Sequence, residues 1–205
     1  ELKVLDLGCG KGAVLLKIAE TLGCRCRGID GIPEFVTEAA RRAKEKGLKH
    51  CSFTAGDLRE EIKYLEKQDV VILGSVGPVL GDYRETMEKL KPLLEPGGII
   101  ILDDGYVKDD GGPGHGMVRK KSDLLREIGA AGMEIVREYV WDDKDSSPDY
   151  GREYRLIVKR CGELMEKHPD RRKLFEDYIR KQEKEYHALE NDIVCSAMVI
   201  SRRRR

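Results

Sequence analysis

The sequence predicts an α/β chain built on a doubly wound, mainly parallel sheet. Three observations lead there. Apolar runs of strand length alternate with helical patterns along most of the chain. The first run opens into a glycine-rich turn, Gly8-Cys9-Gly10-Lys11-Gly12, and a helical pattern follows at once. A second apolar run then ends on an acid, Asp30, about twenty residues further on. Strand, glycine turn and helix are the first half of a βαβ unit.

Taken in order, Leu2, Val4, Leu5 and Leu7 mark the first strand, apolar in succession as a strand covered on both faces should be. A helix from Gly12 to Leu22 puts Leu15, Ile18, Ala19 and Leu22 on one side. The second strand reads as Arg25–Ile29, and Pro33 sits near the first turn of a helix from Glu34 to Lys46. Cys51–Ala55 is the third strand, Leu58–Lys67 a short helix and Val70–Leu73 the fourth strand. Asp82–Leu94 reads as a helix with Met87, Leu90 and Leu94 on one side, followed by the turn Pro96-Gly97-Gly98 and a fifth strand at Ile99–Leu102. Lys120–Ala131 is helical and Met133–Trp141 alternates as strand six. From Asp142 to Asn191 the alternation lapses. Tyr154, Ile157, Val158, Cys161, Leu164 and Met165 predict a helix over Tyr150–Lys167, and His168-Pro169-Asp170 breaks it, with Asp170 as the next N-cap. Leu174, Phe175, Tyr178, Gln182 and Tyr186 mark a second helix, and Ile193–Ile200 is the last strand.

A chain of 205 residues fits one domain, 1–205, with a sizeable core. Basic and acidic side chains number 38 each, which argues against nucleic acid as the main partner. Charged residues make up 37%, enough to solvate the helix faces. No apolar run is long enough to cross a bilayer and no secretory signal is seen, so the expected setting is cytoplasmic. The chain opens almost inside its first strand, which reads as loss of preceding residues. The six cysteines, Cys9, Cys24, Cys26, Cys51, Cys161 and Cys195, are irregularly spaced and read as reduced, mostly buried thiols. Strand alternation would put Cys24 and Cys26 on opposite faces, so no shared metal is expected.

The opening stretch carries the chemistry. Glycines there allow backbone to come close to a ligand, and an acid at the end of the second strand can accept hydrogen bonds from a ribose. Together they predict an adenosine-containing cofactor. Asp6, two residues before the first glycine, would repel a pyrophosphate and suits a ligand with a cationic end.

With that acid in place, Val4-Leu5-Asp6-Leu7-Gly8-Cys9-Gly10-Lys11-Gly12 resembles the first motif of the class I S-adenosylmethionine-dependent methyltransferases. Gly56-Asp57-Leu58 after the third strand and Leu94-Glu95-Pro96-Gly97-Gly98 before the fifth extend the resemblance over most of residues 1–141. It implies a Rossmann-like, seven-stranded sheet whose last strand runs antiparallel between the fifth and sixth. The helical insert before that strand, approximately residues 145–191, would be a partial lid over the acceptor pocket. It implies S-adenosylmethionine as cofactor and S-adenosylhomocysteine as product. Asp6 would face the methionine amine. Gly8, Cys9 and Gly10 would carry backbone along the methionine and ribose, Asp30 and Gly31 would take the ribose, and Ile32 would pack on adenine. Asp57 would accept from the adenine amine, with Gly56 and Leu58 beside it, while N-cap duty is the plainer reading of Asp57. Gly74-Ser75-Val76, after strand four, would wall the reaction site, with Gly74 and Ser75 beside the cofactor.

A sulfonium methyl is already electrophilic, so transfer requires alignment and exclusion of water, plus a base only where the acceptor carries a proton. Asp103, Asp104, Tyr106 and His115 are the candidates near the fifth strand's end, with Tyr106 and His115 proposed both for catalysis and for acceptor contact. His115, in a glycine-rich loop, is equally an exposed loop histidine. Trp141, Tyr150 and Tyr154 could line an acceptor pocket or simply pack. No metal is expected: catechol-type enzymes need an acid after strand four, where this chain has Gly74-Ser75. Arg202–Arg205 could serve a nucleic-acid methyltransferase, but a four-arginine end also reads as a solvated terminus. The Asn-Pro-Pro-aromatic motif of amino-nucleobase enzymes and the paired-glutamate loop of protein arginine enzymes are missing. A dehydrogenase is disfavoured by Asp6. A cofactor-binding module without catalysis stays open. The expectation is methyl transfer to a small-molecule acceptor.

Overall fold

A computed structural model describes residues 1–110, 118–140 and 150–203. Seven strands form one sheet: β1 Lys3–Leu7, β2 Arg25–Asp30, β3 Cys51–Ala55, β4 Gln68–Gly74, β5 Leu94–Val107, β6 Met133–Val140 and β7 Ile193–Arg202. Their order across the sheet is β3-β2-β1-β4-β5-β7-β6. The last strand alone is antiparallel. Strand order reverses beside β1, the place where open α/β sheets hold ligands outside their carboxyl ends.

Local chemistry explains each boundary near that place. The helix α1, Ala13–Leu22, starts after Gly12 and stops at Gly23, both glycines at positive φ. Helix α2, Pro33–Glu45, has proline in its first turn, where a missing N–H costs nothing. Val4, Leu15, Ala19, Cys24, Cys26 and Ile72 form a buried cluster against α1. Cys24 and Cys26 do not point apart as strand alternation predicts. Cys24 precedes the extended segment, and the two sulfurs lie 3.5 Å apart in this core. All six cysteines are free thiols.

Several expected boundaries move. The helix after β3 is one turn, α3 Leu58–Glu61, continued by a 3-10 turn at Ile62–Tyr64, because only Leu58 is buried. Helix α4, Tyr83–Leu90, has a capping box between Asp82 and Glu85. It ends four residues early, in a 3-10 turn at Lys91–Leu93, because Pro92 cannot donate into a helix. Strand β5 is much longer than expected and takes Pro96-Gly97-Gly98 into an irregular stretch, Gln68 pairing Leu94 while Val70 pairs Ile99. The guanidinium of Arg202 on β7 donates to the carbonyls of Lys91, Leu94 and Glu95 at 2.7–2.9 Å, pinning the last strand beside this stretch. Helix α5 is Lys121–Ala130.

The chain divides into two compact units, the first Glu1–Asp104, Ser122–Tyr139 and Ser196–Arg205, the second Gly105–Lys121 and Val140–Cys195. The second holds two helices, α6 Tyr150–Lys167 and α7 Arg172–Asn191. Asp170 does not cap α7. It lies in a 3-10 turn, Pro169–Arg171, which moves the cap position to Arg171. Tyr186 of α7 sets its ring against Tyr150 and Tyr154 of α6, each at 5.9 Å between centroids.

Candidate cofactor and methyl-transfer site

The glycine turn after β1 is anchored to β2 by backbone. Gly8 and Cys9 both donate to the Ile29 carbonyl, at 2.8 and 3.1 Å, and Gly12 donates back to Cys9. Gly8 and Gly10 take positive φ, +80° and +52°, which favours glycine. A Cβ on Gly8 would stand 2.6 Å from Cγ2 of Val76, while one on Gly10 would meet nothing. Burial pushes the Cys9 thiol up to about 12, so it is an inert wall rather than a nucleophile.

Asp30 ties this turn to the next loop. One carboxylate oxygen accepts from the Gly10 N–H at 2.8 Å, the other from the Ile32 N–H at 2.9 Å. Each oxygen keeps a lone pair that a ligand hydroxyl can use. Gly31 has open space where a Cβ would be, and Ile32 is 45% exposed, so an apolar face is available next to the acid. Asp6 is the buried counterpart, 4% exposed, between Gly28 of β2 and Ile72 of β4. Burial, then the charge of Asp30, raise its carboxyl to about 7. A buried carboxyl held up by a neighbouring charge is charged more readily with a cation beside it.

Asp57 serves as a helix N-cap, a duty compatible with a ligand contact. It caps α3 by accepting from the Arg59 N–H, and the Arg59 guanidinium holds both its oxygens at 2.6–3.1 Å. Those bonds to Arg59 keep its carboxyl down at about 2. The Asp-x-Arg spacing was the signal for this pair. Gly56 donates to the Asp30 carbonyl, and Leu58 is buried.

At the end of β4, Gly74 is open and Ser75 holds φ +52°, a strained value for serine, its N–H on the Asp103 carbonyl at 2.9 Å. Val76, the third residue of the stretch that the resemblance makes a wall of the reaction site, packs on Gly8. Asp104 accepts from the Tyr83 hydroxyl at 2.9 Å. Asp103 is held above the usual carboxylate range by burial and then by the charge of Asp104.

Tyr106 and Tyr150 lie in the second unit. Tyr106 is buried, its hydroxyl accepting from Lys121 at 3.1 Å with the ammonium over its ring. Tyr150 places its hydroxyl 3.6 Å from the Cys195 sulfur. His115, Trp141, Arg204 and Arg205 lie outside the described residues. Among the described residues no group of three or more metal-ligating side chains is assembled. No helix among them is long and apolar enough to cross a membrane.

A seven-stranded α/β sheet with one antiparallel strand, and a glycine turn clasped by one acid above another buried one, define an adenosyl-cofactor methyltransferase. A family model described as a methyltransferase domain matches residues 1–155. The chain belongs to the class I S-adenosylmethionine-dependent methyltransferases. It is 30% identical over 142 residues to carboxy-S-adenosyl-L-methionine synthase of Wolinella succinogenes, covering 66% of this chain and 57% of that one. It is 31% identical over 118 residues to the 23S rRNA (uracil(1939)-C(5))-methyltransferase RlmD of a Shewanella species, covering 51% of this chain and 26% of that one. Against the aklanonic acid methyltransferase DauC of a Streptomyces species the figures are 33% over 103 residues, 49% and 46%. The chain thus spans about half the length of such curated relatives, or less. A Geobacter sulfurreducens methyltransferase crystallised with S-adenosylhomocysteine superposes with a TM-score of 0.79 at 22% identity, over 98% of this chain and 85% of that one.

Proposed function

We propose that this enzyme moves the methyl group of S-adenosylmethionine to a small-molecule acceptor. The observation that carries the reading is the Asp30 carboxylate, held by Gly10 and Ile32 above the buried Asp6. Asp30 binds the ribose hydroxyls, Asp6 receives the ammonium, and the open positions Gly10, Gly31 and Gly74 leave room for the ligand. Cys9 walls the methionine side and Ile32 covers adenine. Asp57 reaches the adenine amine only by sharing its carboxylate with Arg59, so Gly56 and Leu58 supply the firmer contacts there. Once bound, the donor supplies an electrophilic methyl, and the protein's share is to align it and keep water out.

Charge balance favours a small acceptor over a polynucleotide, 38 basic against 38 acidic residues. The names of relatives cover both kinds, with aklanonic acid in one and rRNA in another. In this reading the acceptor contacts stay those the sequence suggests, Tyr106, His115, Trp141 and Tyr150. The setting is cytoplasmic, in keeping with six free thiols. Calorimetry should show S-adenosylhomocysteine binding more tightly than NAD; the reverse order would refute the cofactor assignment. Labelled methyl from S-adenosylmethionine should enter a small-metabolite extract and not total RNA at moderate salt; label found only in RNA would refute the acceptor class.

Asp6 gives the binding a pH dependence. Without ligand its carboxyl titrates at about 7, raised by burial and by Asp30, so it is mostly protonated at mildly acidic pH. An ammonium beside it favours the charged form and drives the proton off. Affinity for the product should therefore climb as pH rises toward about 7 and level off above it, with close to one proton released per ligand on the acid side. Calorimetry in buffers of different ionisation heat reads that proton. No release, or release retained in Asp6→Asn, would show the ammonium lies elsewhere.

A further inference from the structure

The end of the sheet that faces α1 presents a row of four residues. Register pairs Leu7 with Ile29 and with Leu73, and Gly74 with Asp103. One step beyond Leu7, therefore, Asp30, Gly8, Gly74 and Asp103 stand side by side on β2, the turn after β1, β4 and β5. Faces follow from strand alternation. Ile72 and Ile101 belong to the core against α1; Gly74 and Asp103, two residues on, share that side. Asp104 points the other way, to Tyr83 at the start of α4. The row reads acid, glycine, glycine, acid, over three strand spacings, about 14 Å.

Each member of the row is held in place. Val76 stands over Gly8 where a Cβ would be, and Gly74 has nothing within 4 Å of that position. Ser75 keeps its left-handed backbone by donating to the Asp103 carbonyl, which fixes β5 against the loop after β4. The Asp103 carboxylate itself has no hydrogen-bond partner among the described residues, whereas Asp104 is taken by Tyr83. A ligand with its sugar on Asp30 and its ammonium at Asp6 leads past Val76 toward the open position at Gly74, so that its methyl faces the far end of the row.

We infer that Asp103 faces the methyl acceptor and takes its proton during transfer, which makes the acceptor an O–H or N–H compound. The inference rests on the donor placement proposed above. The new bond from oxygen or nitrogen to the methyl carbon forms as the carbon–sulfur bond breaks, and the bonding pair stays on sulfur. The proton of the acceptor passes to the Asp103 carboxylate and from there to water. Burial and the neighbouring charge of Asp104 raise the basicity of Asp103, which suits it to the task.

The same position puts Asp103 near a positive sulfonium in the donor and near a neutral thioether in the product, and that difference supplies a test needing no acceptor. Calorimetry with S-adenosylmethionine and S-adenosylhomocysteine on Asp103→Asn should show the donor weakened about fivefold more than the product, Coulomb attraction across a few ångströms of partly wet protein being worth about that much. Asp103→Glu should restore most of the preference, and thermal unfolding of the free variants checks that each is folded. Asp6→Asn should weaken both ligands alike, since both carry the ammonium. An unchanged donor-to-product ratio in folded Asp103→Asn overturns the role of Asp103. If Asp6→Asn instead leaves both affinities intact, the donor placement fails, and a ratio that Asp103 still governs would keep Asp103 beside the sulfonium.

Discussion

Asp30→Ala is expected to weaken S-adenosylhomocysteine binding about a hundredfold, the loss of two hydrogen bonds to a charged acceptor at ~1.5 kcal/mol each. The acid has two jobs. It would accept from the ribose, and it already clasps the Gly10 and Ile32 amides at 2.8 and 2.9 Å. Its removal leaves those two donors without their acceptor and loosens the glycine turn that the ligand must meet. Asp30→Asn keeps one acceptor oxygen and should fall between wild type and alanine. Calorimetry of the three proteins, each shown to be folded, decides the matter. Equal affinities would mean that the ribose lies elsewhere.

Gly8→Ala should destabilise the fold by about 3 kcal/mol, from two separable causes. The left-handed φ of +80° costs a side-chain-bearing residue about 1–2 kcal/mol. The added methyl would also stand 2.6 Å from Val76, and overpacking of this kind costs ~1–3 kcal/mol. Val76→Ala in the same chain removes the clash and leaves the backbone cost, so the double variant should recover about half of the loss. Denaturant melts of the two single variants and the double variant measure this. A Gly8→Ala protein within roughly 0.5 kcal/mol of wild type would show that the turn and the Val76 loop are not locked together.

The class of fold and the arrangement of the glycine turn with Asp6 and Asp30 were legible because they depend on short-range pattern. Val4, Leu5 and Leu7 bury themselves wherever two helical layers cover a strand, and Gly8, Gly10 and Gly12 follow at fixed offsets. Asp30 ends the next strand, so its reach to the turn is set by one β-strand spacing. Extents were less legible. Strand β5 begins at Leu94, where the Arg202 guanidinium of β7 holds the Lys91, Leu94 and Glu95 carbonyls, a contact no local window contains. Cys24 and Cys26 meet because the chain turns into β2 between them, against the alternation a uniform strand would impose.

By itself the sequence determined what a chain of this pattern can bind: an apolar strand, a turn that only glycines can make, and acids at two strand ends specify a cationic adenosyl ligand through chemistry confined to a few residues. Tertiary structure alone decided which of several like groups do which work. Asp57 is engaged by Arg59, Asp104 by Tyr83, and Asp103 remains on the side where Gly74 leaves space. Carboxylates are interchangeable in a sequence; burial, register and the partner across the strand make them different.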